Sequence, residues 1–253
     1  MSLAARQAQL DGRWALVTGA AKRIGAVIAR SLHEAGANVV IHYFSSAAPA
    51  DALATELNRE RPGSALTIGA DLRDVAQLKP MAEHVLKRTG RLDVLINNAS
   101  NFYPTPLGTI TLEQWDDLFG SNLKAPLFLS QAVLPALRAA RGVIVNIVDV
   151  HAQRPLRDHP VYGPAKAGLA MLTRSLAKDL GPDVRVNGVS PGAILWPDEG
   201  MSDALRAGII KQTALKRSGT PEDIAAAVLF LVRDAPYVTG QIIAVDGGRS
   251  VGW

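Results

Sequence analysis

Short runs of apolar, mostly β-branched residues recur along the chain and alternate with longer stretches that have the apolar spacing of amphipathic helices. The short runs are typical of buried strands. We predict strands at 14–18, 38–42, 65–70, 92–97, 143–148, 184–189 and 241–245. Because strands joined by helical crossovers pair in parallel, the pattern predicts an α/β fold. It is a single doubly wound domain, with a seven-stranded parallel sheet flanked by helices on both faces.

No linker or repeat interrupts this series, so we expect one domain over residues 1–253. Residues 1–12 lack the apolar core of a secretory signal and are interpreted as an N-terminal arm. Residues 193–218 form a long connection after the sixth strand, which we expect to be a substrate-binding loop. The longest apolar run, 224–232, is far shorter than the ~20 residues that span a bilayer, so it is interpreted as a core helix.

Composition and charge narrow the possible partners. The net charge of +4 is scattered among acids rather than gathered into a basic stripe, so we expect no nucleic acid and no membrane as partner, and a small anionic molecule instead. The chain has no cysteine, which excludes disulfides and fits a reducing, cytoplasmic location. His151 and His159 have no other metal ligands near them in sequence, so we expect solvated loop positions and no metal.

The turn after the first strand reads T-G-A-A-K-R-I-G, residues 18–25, and leads into an amphipathic helix. Ligands of doubly wound sheets bind at the carboxyl ends of the strands, where glycine lets the backbone approach a pyrophosphate. A plain tight turn is the alternative. Lys22 and Arg23 carry charge inside this turn, and they either neutralise phosphates or project into solvent.

The end of the second strand, residues 42–46, contains two serines, and no acid follows until Asp51. An acid here would bind a free ribose 2′-hydroxyl and repel a 2′-phosphate, so its absence favours NADP. After the third strand, Asp71 either accepts a hydrogen bond from an adenine amino group or caps the helix that begins near Asp74.

Asp149 stands where the apolar run 143–148 ends. A charge at the edge of a core costs free energy unless something pairs with it or uses it, so Asp149 is either a satisfied structural acid or a chemical group. Tyr162 and Lys166 follow with the i,i+4 spacing of one helix face, which requires Pro164 to fall in the first turn. We expect the ammonium group to lower the pKa of the phenol and make it a proton donor.

These motifs resemble the short-chain dehydrogenase/reductase family over nearly the whole chain. The order and spacing of Asn97-Asn98-Ala99, Asn122, Pro191-Gly192 and Val245-Asp246-Gly247-Gly248 match the family as well. That family usually has a serine thirteen residues before its tyrosine, where this chain has Asp149. Asp149, Arg23 and the segments 97–107 and 119–122 resemble the pteridine reductase branch.

The resemblance implies a Rossmann-like fold, a homotetramer, NADPH as cofactor and dihydropterin as substrate, with oxidised pterin as a second candidate. The catalytic residues would be Asp149, Tyr162, Lys166 and Asn122. The residues that bind the cofactor would be Gly19, Lys22, Arg23, Ile24, Gly25, His42, Tyr43, Ser45, Ser46, Asp71, Leu72, Asn98, Ala99, Ser100, Tyr162, Lys166, Pro191 and Gly192. Those that bind substrate would be Arg23, Ser100, Phe102, Asp149, Tyr162 and Trp196.

Pterin chemistry explains why an acid is needed. Each hydride that reaches a ring carbon requires a proton on the neighbouring nitrogen, which a half-buried carboxyl group supplies better than a serine hydroxyl. Tyr162 would hydrogen-bond Asp149, Lys166 would hold the nicotinamide ribose, and Asn122 would support the lysine. Phe102 would stack on the pterin, or else be a satellite core residue.

Two other functions stay open at this point. One is a carbonyl, 3-oxoacyl or hydroxysteroid-type reductase of the same family. The other is a catalytically silent NADP-binding regulator.

Overall fold

The structure is a computed structural model that describes residues 10–195 and 202–251. Its strands are β1 (Trp14–Val17), β2 (Asn38–Tyr43), β3 (Ala65–Gly69), β4 (Val94–Asn97), β5 (Val143–Ile147), β6 (Arg185–Pro191) and β7 (Ile242–Val245). They form one sheet in the order β3-β2-β1-β4-β5-β6-β7, and every neighbouring pair is parallel. The predicted fold class is therefore confirmed.

The helices are α1 (Arg23–Glu34), α2 (Ala47–Glu60), α3 (Val75–Thr89), α4 (Leu112–Phe119), α5 (Ala125–Ala140), α6 (Tyr162–Leu180), α7 (Asp203–Gln212) and α8 (Pro221–Leu229). One π-helical turn, Gly120–Lys124, joins α4 to α5, and a second, Phe230–Asp234, follows α8. A 3₁₀ turn, Val150–Ala152, follows β5. Within the described ranges, no helix has both the length and the apolar content needed to cross a bilayer.

Two apolar layers cover the two faces of the sheet, as the alternation of strand side chains requires. Ala15 and Val17 of β1 pack with α1 and α8, whereas Leu16 packs with α3 and α5. The apolar run 224–232 lies in α8 and the turn after it, and it contributes buried residues to the first layer, as predicted.

The strand order reverses between β1 and β4, so the loops after these two strands run in opposite directions and open a crevice at the carboxyl edge of the sheet. Asp149 and the first turn of α6 lie at the same edge, beyond β5. The fold thus brings the glycine turn and the tyrosine–lysine segment to one crevice.

Two predicted segments are only partly described. The expected loop at 193–218 contains α7, so that part of it is helical. Trp196 lies outside the described residues, as does most of the predicted N-terminal arm.

Candidate active site

A cavity of about 460 Å³ lies in the crevice, between the loops after β1, β2, β3 and β4. Among the predicted site residues, its lining contains Gly19, Lys22, Arg23, Ile24, Gly25, His42, Tyr43, Ser45, Ser46, Asp71, Leu72, Asn98, Ala99 and Ser100. The described lining does not include Tyr162, Lys166, Pro191 or Gly192. One continuous hollow therefore collects most of the residues expected at the nucleotide, while these four lie outside its lining.

The turn after β1 needs glycine at two positions. Gly19 adopts a left-handed φ of 61° and lies close to Ala99, and a Cβ on Gly25 would collide with the carbonyl oxygen of Gly19. The Asn98 side chain donates to the Thr18 carbonyl at 2.8 Å and so joins this turn to the loop after β4. The turn leaves its outer face free for a ligand, so it is both a tight turn and a cavity wall.

The amino end of α1 opens into this cavity without a competing acid. Lys22 precedes the helix, its side chain forms no cap, and the first turn contains no acidic residue. The Lys22 and Arg23 side chains are exposed and form no ion pair within the described ranges. Free N–H groups and unpaired cations at a helix amino end favour an anionic group such as phosphate.

His42 holds the glycine turn in place from below. Its Nδ1 accepts from the Gly19 N–H at 3.1 Å, and its Nε2 lies 3.1 Å from the Ala70 carbonyl oxygen. Burial lowers the pKa of His42 to about 4, so the ring is neutral at pH 7. Because a carbonyl oxygen only accepts, the hydrogen is on Nε2. The His42 side chain thus supports the glycine turn by accepting from the backbone N–H of Gly19.

Asp71 lines the cavity and is bonded to an arginine, and it does not cap the helix that follows. Its carboxylate accepts from the Arg73 guanidinium, with Oδ2 at 2.7 Å from Nη2, and that hydrogen bond holds the pKa of Asp71 below its usual value. The helix that follows is capped by Asp74, whose side chain accepts from the Ala76 N–H at 3.0 Å. The prediction that Asp71 caps this helix was therefore wrong, because the residue adjoining the helix does so.

Asp149 is a satisfied acid, because both of its carboxylate oxygens accept a hydrogen bond. Its Oδ1 accepts from the His151 N–H at 2.8 Å and caps the 3₁₀ turn after β5. Its Oδ2 accepts from the Tyr162 hydroxyl at 2.8 Å. The first contact fixes the carboxylate, and the second joins it directly to the Tyr162 hydroxyl.

Lys166 is buried beneath this pair. Its Nζ donates to the Ile147 carbonyl at 2.9 Å and lies 5.8 Å from the centre of the Tyr162 ring. Burial lowers the pKa of Lys166 to about 8, against the opposing charge of Asp149. Pro164 is in the first turn of α6, as expected.

The pKa expected for Tyr162 was wrong. Burial, followed by the charge of Asp149 and the hydrogen bond to it, raises the pKa of Tyr162 well above its usual value. The lysine was expected to lower it, but the burial of the phenol and the charge of Asp149 set the direction of the shift. Tyr162 is therefore a firmly protonated donor to Asp149.

Asn122 lies in the π-helical turn Gly120–Lys124 and is fully buried. Its Nδ2 donates to the carbonyl groups of Asn101 at 2.9 Å and Leu118 at 3.0 Å, and its Oδ1 accepts from Ser100 at 2.7 Å. These contacts fix the loop after β4. The support of Lys166 by Asn122 that the resemblance implies stays a prediction, and the hydrogen bond that Lys166 donates goes to the Ile147 carbonyl.

Phe102 is half-exposed, so it is not a satellite core residue. Its ring meets Tyr162 edge-on, with centroids 4.8 Å apart, and stacks on His159 at the same separation with an interplanar angle of 16°. His159 and His151 were expected to be solvated, but both are partly buried, because one packs on Phe102 and the other bonds the Arg154 carbonyl.

The family model described as enoyl-(acyl carrier protein) reductase matches residues 19–250. Pteridine reductase 1 of Leishmania tarentolae is 40% identical and aligns over 94% of this chain and 96% of its own length. A 3-oxoacyl-(acyl-carrier-protein) reductase of Staphylococcus aureus is 37% identical over 92% of this chain and 96% of its own.

A crystal structure of a blue fluorescent protein from a metagenomic library, in complex with NADPH, superimposes with a TM-score of 0.89. It is 34% identical, and the match covers 95% of this chain and 99% of that one. The chain belongs to the short-chain dehydrogenase/reductase family.

As an oxidoreductase of this family, the protein has the expected tyrosine and lysine at positions 162 and 166. Overall similarity does not select its substrate, because a pteridine reductase and an oxoacyl reductase match at 40% and 37% identity. Asp149 is one of the residues at which this chain departs from the usual family pattern.

Sequence reasoning missed one charged residue near the acid of this oxidoreductase. Arg249, in the segment after β7, is partly buried, and burial lowers its pKa while the charges of Asp149 and Asp246 oppose that shift. Its distance from Asp149 in sequence left no local pattern that could have identified it. Among the described residues, no group of three or more metal-ligating side chains is present.

Proposed function

We propose that the protein is an NADPH-dependent pteridine reductase that converts dihydropterin to tetrahydropterin and also accepts oxidised pterin. The observation that carries the proposal is the 2.8 Å hydrogen bond between Asp149 Oδ2 and the Tyr162 hydroxyl, at the position where the family usually has serine. The pteridine reductase of Leishmania tarentolae, 40% identical to this chain, adds support.

NADPH fits the residues of the cavity. The glycine turn and the open end of α1 would bind the pyrophosphate, and Lys22 would neutralise the 2′-phosphate next to a strand end that has no acid. Arg23 would contact both the pyrophosphate and the polar edge of the pterin. The NADPH complex of the structural neighbour supports this choice. When bound, the cofactor supplies hydride to carbon.

The chain itself would supply the matching proton. Reduction of a C=N bond adds a hydride to carbon and a proton to nitrogen, so one proton is needed for each hydride. Asp149 would take up a proton from solvent and donate it to the ring nitrogen, with Tyr162 hydrogen-bonded to the carboxyl group. The buried ammonium of Lys166, held by the Ile147 carbonyl, would bind the nicotinamide ribose.

The substrate ring would stack on Phe102. The phenylalanine ring is half-exposed next to Tyr162, and flat heteroaromatic rings gain from offset stacking. Ser100 lines the cavity and would contact the polar edge of the pterin.

The test is NADPH oxidation with dihydrobiopterin, dihydromonapterin, dihydrofolate and a panel of ketones, measured side by side on the same preparation. We expect pterins to dominate kcat/KM. Dominant ketone turnover would assign the protein to the carbonyl or 3-oxoacyl reductases, for which the Staphylococcus aureus relative provides a precedent in sequence. Stoichiometric NADPH binding without turnover of any substrate would indicate a silent regulator.

We also propose the homotetramer that the family resemblance implies. Light scattering at several protein concentrations tests it, and a mass of one subunit at all of them would contradict it. The cytoplasmic location stays a prediction.

A further inference from the structure

Asp117, in the last turn of α4, accepts hydrogen bonds from three side chains. Its Oδ1 accepts from Arg73 Nη1 at 2.7 Å and from Asn101 Nδ2 at 2.8 Å, and its Oδ2 accepts from the Tyr103 hydroxyl at 2.9 Å. The carboxylate is thus held between the loop after β3 and the loop after β4, and its side chain is only 19% exposed.

Two of these donors, Asn101 and Tyr103, are the immediate neighbours of Phe102 in sequence. One carboxylate therefore anchors the chain on both sides of the aromatic residue, while Phe102 itself points away toward Tyr162 and His159. Fixing the chain on both sides leaves the Phe102 ring little choice of direction.

The charges at this point favour the anchored state. Burial opposes ionisation, but hydrogen bonds from Arg73, Tyr103 and Asn101 hold the pKa of Asp117 below its usual value. Burial and the same carboxylate raise the pKa of Tyr103 to about 12, so its hydroxyl remains a donor. Arg73 also lies over the Phe44 ring at 5.1 Å.

The network also touches the nucleotide cavity, since Arg73, Phe44 and Asn101 all belong to its lining. The position of a ligand in that cavity and the position of a ring stacked on Phe102 would therefore both depend on the hydrogen bonds to Asp117. Neither the glycine turn nor the Asp149–Tyr162 pair contributes a hydrogen bond to Asp117 among the described residues.

We propose that Asp117 is a positioning residue that sets the orientation of Phe102 for a stacked heteroaromatic substrate. The inference rests on the proposed function, because it requires a flat ring at Phe102. Asp117 acts through Phe102 and does not itself touch the reacting atoms.

The experiment is a double-mutant cycle with Asp117→Asn and Phe102→Leu. KM and kcat for dihydrobiopterin are measured, together with the Kd of oxidised biopterin for the enzyme–NADP⁺ complex, obtained from the fluorescence of the pterin. Asp117→Asn removes the charge that accepts these hydrogen bonds. We expect it to raise KM and Kd about tenfold, with a smaller change in kcat. In the Phe102→Leu background, the same substitution should leave KM and Kd unchanged, because coupled residues are non-additive.

The matched control is Asp116→Asn, the exposed neighbouring acid on the same helix, which should behave as the wild type. Equal effects of Asp117→Asn in both backgrounds, or no effect in either, would overturn the inference, since a merely structural role does not depend on the Phe102 ring. If Asp117→Asn fails to fold, Tyr103→Phe is used in its place, because it removes a single hydrogen bond to Asp117. Tyr103→Phe is expected to raise KM about threefold in the wild-type background and to leave KM unchanged in the Phe102→Leu background. The absence of such a rise would overturn the inference.

The wild type separates this inference from the proposed function. If the wild type reduces pterins and Asp117→Asn has the same KM and Kd, only the inference about Asp117 fails. If the wild type neither binds nor reduces pterins, the inference and the proposed function both fail.

Discussion

At the nucleotide end of the crevice, Lys22 and Arg23 are exposed at a glycine turn and have no acidic partner among the described residues. At the reaction end, Lys166 is fully buried, and Asp149 is bonded to both Tyr162 and a backbone N–H. The cations of the first region have no negative charge beside them, so a ligand can supply it. In the second region the carboxylate of Asp149 already has hydrogen-bond donors within the protein. Under the proposed function, nucleotide binding and proton transfer take place at different ends of the crevice, so mutations at the two ends should change different kinetic constants.

The largest effect should come from the acid. Asp149→Asn removes the proton donor but keeps the size of the side chain, so kcat/KM for dihydrobiopterin should fall on the order of 10²- to 10³-fold. NADPH binding, measured by fluorescence titration, should be unchanged. Asp158→Asn, an exposed acid of the same segment, is the control and should retain full activity. Full activity of Asp149→Asn would show that another group supplies the proton.

Titration of Lys166 should give the next largest effect. Its ammonium is present below pH 8 and lost above it, so kcat/KM for NADPH should fall about tenfold per pH unit on the alkaline side. The unfolded chain holds this proton up to about pH 10.5, so this group makes the free energy of unfolding rise between pH 8 and 10.5. Melting temperatures recorded over the same range check that the lost activity is not unfolding. A flat profile up to pH 10 would contradict the prediction.

A tenfold effect is expected at the nucleotide end. Lys22→Gln should raise KM for NADPH about tenfold and leave KM for NADH unchanged, because NADH has no 2′-phosphate for the lysine to neutralise. Lys87→Gln, an exposed lysine on α3, is the control. Equal losses with both nucleotides would mean that Lys22 contacts the pyrophosphate instead.

The smallest effect should come from His159, whose ring stacks on Phe102. His159→Ala removes a stacked pair, so KM for dihydrobiopterin should rise about threefold, and His159→Phe should restore it, because an aromatic ring at this position still stacks. His84→Ala, an exposed histidine on α3, is the control. If His159→Phe is as impaired as His159→Ala, the imidazole has a role other than stacking.

The sheet was predictable from the sequence because its strands are short runs rich in apolar, β-branched residues that alternate with longer helical stretches. The pairing of Asp149 with Tyr162 followed from a separation that the family preserves. The hollow around the glycine turn followed from the rule that ligands bind where the strand order reverses.

Other features depend on segments that meet only in the fold. The pKa of Tyr162 depends on how deeply α6 is buried and on an acid from β5, and no local pattern contains both. The stack of His159 on Phe102 joins two loops that are far apart in sequence. Asp117 gathers donors from two loops, so its role is invisible until all three segments are assembled.

Because the π-helical turn Gly120–Lys124 joins α4 directly to α5, the number of residues in this turn fixes the rotation of α5 relative to α4. At 3.6 residues per turn, deletion of one residue here would rotate α5 by about 100° relative to α4. Leu129, Val133 and Leu137, now fully buried, would leave the core, while Asn122 would lose its place beside Ser100. Substitutions should therefore be tolerated in this turn far better than any insertion or deletion.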